Sequence, residues 1–270
     1  MPRPITRRTF LRGAASGLAG SVLTAAYADY DVHDIRLEQV ELRLKRWKAD
    51  GLRVGFITDI HVNDPDEVER AVKAAEMLIE TSPDLLLFGG DCVNSTTPIA
   101  KQNIVDALKP FEKLKCPKLA VLGNHDYWSG MIHQIEATVR DSGFQVLKNE
   151  VVEFDHYAVA GYDDRIGGVR DPNFQPRQES LISLMHEPDD VDFVPETASV
   201  QFSGHSHGGQ ICIPFGIILH TPKLSRKYRR GFFPDSRVPL YVSRGVGTTG
   251  FKWRMFCPPE VTLFTLRSEK

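Results

Sequence analysis

Cysteine is scarce and scattered: the 270 residues hold four, Cys92, Cys116, Cys212 and Cys257, with no C-x-x-C pair. That spacing excludes a zinc knuckle and a dense disulfide scaffold, and a chain of this length can bury a core without either. An excess of charge of one sign is also lacking. Lys and Arg number 33 against 35 Asp and Glu, a formal net charge of −2, so there is no basic surface of the kind that coats nucleic acid, and nucleic acid is not an expected partner. Internal repeats and Ser/Gly-rich linkers are absent, and long hydrophobic runs are confined to the amino terminus. With 41% hydrophobic residues the chain is globular, which excludes a disordered, collagenous or polytopic membrane protein.

Residues 1–28 read as an address rather than as structure. Four arginines and no acids accompany a Gly/Ala-rich apolar stretch that closes with Ala-Tyr-Ala at 26–28, the layout of an export signal. Arg7 and Arg8 followed by Phe10 and Leu11 resemble the twin-arginine signature, which implies passage through the twin-arginine machinery to the periplasm or the outer face of the cytoplasmic membrane. Cleavage after Ala28 would leave 29 basic and 35 acidic side chains, a net charge of −6. Two other readings stand beside it: a basic amphipathic first helix, and retention of Leu11 to Ala28 as a membrane anchor.

Residues 29–50 form a polar lead-in, and 51–270 a single α/β domain. LRVGFITD at 52–59 and DLLLFGGD at 84–91 are short apolar runs that read as buried strands. Between them Asp66 to Glu80 carries Val68, Ala71, Val72, Ala75, Leu78 and Ile79 at helical spacing, so residues 52–91 make a β-α-β unit with parallel strands. A second cycle predicts helices at 99–112 and 130–142 around a strand at 118–124. Beyond 144 short strands dominate (FQVLKN, VVEFDHYAVAGY, SLISLMHE, ASVQFSG, QICIP, PLYVSRG, VTLFTL), a pattern of antiparallel or mixed sheet. Two packed mixed sheets flanked by helices follow.

Five segments place Asp, His or Asn directly after an apolar strand: TDIH at 58–61, GGDC at 89–92, GNHD at 123–126, MHEPD at 185–189 and SGHSHGGQ at 203–210. Strand ends of an α/β sheet open on one crevice, so these groups would meet there. On an extended backbone Asp59 and His61 point to one side, as do His205 and His207. Asp59, His61, Asp91, Asn124, His186, His205 and His207 form a mixed oxygen and nitrogen donor set without thiolate, suited to Mn, Fe or Zn rather than Ca. Seven donors exceed one transition metal and match two ions sharing a carboxylate, a clamp for displacement at phosphorus.

The ordered set D-x-H, G-D, G-N-H-D, H and G-H-x-H resembles the calcineurin-like metallophosphoesterases over residues 52–265. GHSHGGQ followed by an apolar-Pro step, HEPD, and SRGVGTTG before CPPEVTLF resemble a narrower branch, the exported bacterial phosphodiesterases of YaeI and YkuE type. The resemblance implies a four-layer α/β/β/α sandwich and two divalent metals, manganese foremost. Asp59, His61, Asp91 and His207 would hold one ion and Asp91, Asn124, His186 and His205 the other, with Asp91 as the bridge. It also implies a metal-bridging hydroxide as nucleophile, His125 assisting the leaving group and Asp126 orienting His125. The implied substrate is a phosphodiester, including an envelope lipid or wall component. A UDP-2,3-diacylglucosamine-type pyrophosphate hydrolase and a non-catalytic metal-dependent binding module are the alternatives.

Taken singly, Asp59 or Asp91 could be a helix cap or turn former; the ordered set decides for ligation. Cys92 reads as a small buried hydrophobe, and His33, His133, His156 and His220 have no motif partners. Arg244 and Arg254 flank a Gly-rich loop and are candidate substrate contacts, with core-edge ion pairing as the other reading. Lys223, Arg226, Lys227, Arg229 and Arg230 form a basic run in an otherwise acidic chain, either a solvated loop or a site of peripheral membrane contact.

Overall fold

The computed structural model describes residues 31–94 and 101–269; the expected leader at 1–28 lies outside the described residues. In chain order the elements are β1 (Arg36–Leu44), β2 (Leu52–Ile57), α1 (Pro65–Glu80), β3 (Leu85–Phe88), α2 (Lys101–Leu108), β4 (Lys118–Ala120), α3 (Asn124–Trp128) and α4 (Ile132–Asp141). There follow β5 (Gln145–Val146), β6 (Glu150–Glu153), β7 (Ala158–Gly161), β8 (Leu181–Leu184), β9 (Val200–Ser203), β10 (Cys212–Ile213), β11 (Ile217–Ile218), β12 (Gly231–Phe233), β13 (Leu240–Val242) and β14 (Glu260–Ser268).

Two six-stranded mixed sheets carry the architecture, ordered β1-β14-β2-β3-β4-β5 and β12-β13-β9-β8-β7-β6, with β10-β11 as a separate ribbon. β2, β3, β4 and β5 run parallel, as do β7, β8, β9 and β13. The sheets pack face to face: Phe56, Leu85, Leu87, Leu119 and Phe264 of the first share one buried cluster with Val159, Ile182, Leu184, Val200 and Phe202 of the second. Phe202 stacks on Phe264 with ring centroids 4.3 Å apart, locking the two layers in register.

Helices cover the outer face of the first sheet. α1 begins at a capping box in which the Asp64 carboxylate accepts from the Glu67 amide and the Glu67 side chain accepts from the Asp64 amide, with Pro65 in the first turn, satisfying amide hydrogens the helix leaves free. Its small Ala71, Ala74 and Ala75 and Leu78 are buried, letting the helix lie close to the strands. The outer face of the second sheet is closed by a 3₁₀ turn at Pro188–Phe193 and by loops, with Val191 and Val194 buried against Ala160, Met185 and Leu240.

The lead-in drawn at 29–50 is part of the domain, not a segment before it. β1 pairs in parallel with β14 over nine residues, Arg36 to Leu44 against Glu260 to Ser268. Its charged and apolar residues belong to an edge strand, where charge discourages further pairing. The run VVEFDHYAVAGY is a hairpin of β6 and β7, because Asp155 and His156 turn the chain.

Truncating Phe202 removes a ring packed between both sheets. Phe202→Ala should lose about 3–5 kcal/mol of unfolding free energy, checked by denaturant titration; a loss below about 1 kcal/mol would show that the layers do not depend on this stack.

Candidate metal centre

Every ligand candidate follows a strand whose carboxyl end opens on the same crevice. Asp59 and His61 follow β2, Asp91 follows β3, Asn124 opens α3 just after β4, His186 follows β8, and His205 and His207 follow β9. The strand-end loops keep pairing past the strands: Asp59 N–H donates to Gly90 O at 2.9 Å, Val62 N–H to Cys92 O at 2.8 Å and Gly204 N–H to His186 O at 3.1 Å. The backbone is not extended here, contrary to the simple D-x-H geometry. Asp59, His61, Asp91, His205 and His207 all take left-handed φ values between 46° and 67°, each costing roughly 1–3 kcal/mol in a residue other than Gly. The side chains converge because the strained loops aim them, not because alternate residues share a strand face.

Glycine is required where the loops touch these groups. A Cβ on Gly204 would overlap the Asp59 carboxylate and the Thr58 hydroxyl, and one on Gly123 would overlap the Asp91 carboxylate.

Six of the expected ligands fall into two groups sharing Asp91: Asp59, His61, Asp91 and His207 in one, and Asp91, His186 and His205 in the other, each with its ligand atoms within 4.8 Å of one another. Asp91 Oδ2 lies 3.5 Å from His61 Nε2 and 3.2 Å from His186 Nε2, between the groups. The seventh, Asn124, is 1% exposed, and its Oδ1 is buried without a hydrogen-bond partner among the described residues.

Backbone carbonyls fix the imidazoles. His61 Nδ1 contacts Val93 O at 3.1 Å, His186 Nδ1 contacts Gly89 O at 2.8 Å and His205 Nε2 contacts Lys223 O at 2.8 Å. A carbonyl can only accept, so in each ring that nitrogen carries a proton and the other nitrogen is the one turned to the centre. Across the centre the ring nitrogens face one another: His61 Nε2 lies 3.1 Å from His207 Nε2, and His186 Nε2 lies 3.2 Å from His205 Nδ1. An imidazole nitrogen facing another at that separation is satisfied by a proton or by a cation lying between them. The donor set, the unpartnered Asn124 oxygen and the opposed imidazoles all fit two divalent cations.

Burial explains the protonation states. It pushes His61 and His205 down to about 3, so both are neutral donors at any physiological pH. Asp59 is pushed up to about 6 by burial, which outweighs nearby His186. Burial opposes ionisation of Asp91, but the adjacent imidazoles of His186 and His61 hold it well below the usual carboxylate range. His186 is raised in return because Asp91 outweighs its burial.

His125, at the second position of α3, is partly exposed; its ring meets His61 edge-on at 4.9 Å and Trp128 at 5.2 Å, and its N–H donates to Asp91 Oδ1 at 2.9 Å. Asp126 was expected to orient this imidazole. Instead its buried carboxylate accepts from the amides of Gly123 and Asp91, each at 3.0 Å, and of Val93 at 3.3 Å. It positions the loops that carry Asp91 and His125. Arg254 and Arg244 likewise depart from the expectation of substrate contact. Arg254 is 0% exposed and donates to the carbonyls of Arg244, Gly245, Gly247, His207 and Cys257. Arg244 forms ion pairs with Glu38 of β1 and Glu260 of β14. Arg244's partners lie on strands β1 and β14 and Arg254's are backbone carbonyls, so neither leaves a mark in the local pattern of side chains.

The sequence reading also missed a buried pair beside the site. Asp164 and Glu187 are both 1% exposed, and Asp164 Oδ2 and Glu187 Oε1 are buried without a hydrogen-bond partner among the described residues. Burial and the neighbouring Asp164 push Glu187 well above the usual range, so the pair holds a proton. The adjoining YDDR and HEPD segments, two acidic motifs at strand ends, were the available signal.

The calcineurin-like phosphoesterase profile matches residues 52–209, a span that contains every ligand position from Asp59 to His207. The chain belongs to the calcineurin-like phosphoesterase family. It is 30% identical to the metallophosphoesterase YkuE of Bacillus subtilis, over 98% of this chain and 99% of that one. It is 29% identical to phosphodiesterase YaeI of Escherichia coli, over 97% of this chain and 99% of that one. To the UDP-2,3-diacylglucosamine pyrophosphatase LpxG of Chlamydia muridarum it is 29% identical, over 91% and 94%. The chain is a metallophosphoesterase, a hydrolase of ester bonds, with a candidate dinuclear metal site.

Metal uptake by this site must release protons from Asp59 and His186 but not from His61 or His205, which are already neutral. Because Asp59 is raised, it ionises only above about pH 6, and a proton competes with the metal below that. Manganese affinity, followed by calorimetry from pH 5 to 8, should rise with pH through about 6 as Asp59 ionises and go on rising above it while His186 gives up its proton; an affinity flat across pH 6 would contradict these protonation states.

Proposed function

We propose that the protein is a metal-dependent phosphodiesterase acting outside the cytoplasm, with manganese in both positions. The observation that carries this reading is the pair of buried donor groups joined at Asp91, with His125 at their rim. Asp59, His61, Asp91 and His207 would hold one ion, and Asp91, Asn124, His186 and His205 the other. When bound, two such ions supply Lewis-acid stabilisation of charge developing at phosphorus and a nucleophile at neutral pH.

The chain's own residues supply the rest. His125 sits partly open to the crevice, where it can hold a proton against a departing oxygen. Burial lowers its pKa, and the Asp91 and Asp164 carboxylates oppose that shift. The Asp91 contact to the His125 amide fixes the distance between the proton donor and the bridge. Trp128, 53% exposed beside His125, gives the second substituent of a diester an apolar surface, which a monoester would not use. The leader supports export, and the mixed oxygen and nitrogen donors support manganese. The LpxG relative supports a second reading, cleavage of a pyrophosphate link, which the same donors could serve.

The test is hydrolysis of bis-p-nitrophenyl phosphate by the chelated protein titrated with manganese, alongside p-nitrophenyl phosphate and a nucleotide-linked pyrophosphate. Activity should return with metal and favour the diester. A folded protein that binds two ions and cleaves only the pyrophosphate would replace this reading with the second, and one that cleaves none of the three would leave a binding module. His125→Ala should retain the metals and lose turnover by roughly 10²–10⁴-fold, whereas Asp91→Asn should lose metal as well. Equal metal loss in both variants, measured by elemental analysis, would refute their separate roles.

A further inference from the structure

Among the described residues ten large apolar side chains are exposed, and six of them, Ile213, Phe215, Ile217, Leu219, Phe251 and Trp253, fall in two short loops. The first loop is the β10–β11 ribbon, whose tip is a 3₁₀ turn at Pro214–Gly216. Phe215 at that tip is fully exposed and holds a left-handed φ of 69°, a conformation that a bulky residue adopts only at a cost. Gln210 binds the second loop to the first: its side-chain amide donates to Thr249 O and Phe251 O and accepts from the Thr249 amide. Cys212 N–H donates to Met255 O at 2.8 Å on the same seam.

The charge around these loops is one-sided. Between Glu196 and Glu260 the sequence carries a single acid, Asp235, against nine Lys and Arg, although the chain as a whole is slightly acidic. Lys223, Arg226, Lys227 and Arg229 are exposed, and the Arg230 guanidinium donates to Gly216 O at 2.6 Å, holding the basic segment against the ribbon tip. The same segment reaches the metal centre, where Lys223 O accepts from His205.

We propose that the ribbon at 211–219 and the loop at 251–253 form a docking surface for an anionic phospholipid bilayer. The apolar side chains enter the headgroup boundary while the cations of 223–230 meet the headgroup phosphates. A protruding apolar tip flanked by cations suits a fluid anionic interface better than the flat or recessed patch of a protein partner. Docked this way, the crevice that carries His205 stands beside the membrane surface. The inference is independent of whether the substrate is a diester.

The test is co-sedimentation of the full chain with vesicles of phosphatidylcholine alone and of equal parts phosphatidylcholine and phosphatidylglycerol. The parent should bind the phosphatidylglycerol vesicles the more tightly. The combined variant Phe215→Ser, Ile217→Ser, Leu219→Ser should bind them at least about tenfold more weakly, and Arg226→Gln with Arg229→Gln should weaken binding several-fold on the anionic vesicles only. Both variants should keep the parent's metal content and its hydrolysis of soluble diester, which reports that they fold. A parent that does not sediment, or a triple variant that sediments like the parent, overturns the proposal. So does a triple variant whose only change is loss of a dimer in ultracentrifugation, which would make the surface an interface between copies. A parent that docks but cleaves no diester supports the docking surface and counts against the phosphodiesterase reading alone.

Discussion

Imidazole nitrogens turned on one another, 3.1 Å apart at His61 and His207 and 3.2 Å apart at His186 and His205, are the constraint on which the rest of the structure depends. Removed from water, beside two buried carboxylates, they form an arrangement that protons or cations must complete. The surrounding structure is built to that end. Carbonyls of Val93, Gly89 and Lys223 hold the protons away from the centre, left-handed turns aim the side chains inward, and glycine clears space at Gly123 and Gly204.

The energy for that strain comes from the packing around it. Between the sheets the strands meet through one large apolar cluster, so the loops beyond their ends inherit rigid anchors. Buried polar side chains brace those loops from both sides of the centre. Asp126 gathers three amides beneath Asp91, and Arg254 gathers carbonyls from the loops at 207 and 244–247. A carboxylate takes amide hydrogens and a guanidinium takes carbonyl oxygens, so each turns a loop with unsatisfied backbone groups into a fixed platform.

Much of this was legible in the sequence. The parallel β-α-β unit at 52–91 shows in its apolar runs and helical spacing, and the ligand candidates show because polar residues at strand ends are few and ordered. What was not legible depends on contacts between distant segments. β1 hides because its charged and apolar residues make sense only once β14 lies beside it. Arg244 and Arg254 looked like substrate contacts because nothing near them in sequence names Glu38, Glu260 or the carbonyls that occupy them. Asp126 carried a role borrowed from its motif, whereas its oxygens face the backbone. The left-handed turns at Asp59 and His61 escape an argument from alternation, since tertiary hydrogen bonds impose them. The ribbon at 211–219 read as a short strand, QICIP, and only its exposure shows how much apolar surface it presents.

The central claim is that two ions are held together through Asp91. Electron paramagnetic resonance of the protein loaded with two equivalents of manganese tests it directly. The account predicts the multiline spectrum of a spin-coupled pair, replaced by uncoupled signal when Asp91 is substituted. A simple six-line spectrum from isolated ions in the parent protein, with two manganese bound, would contradict it.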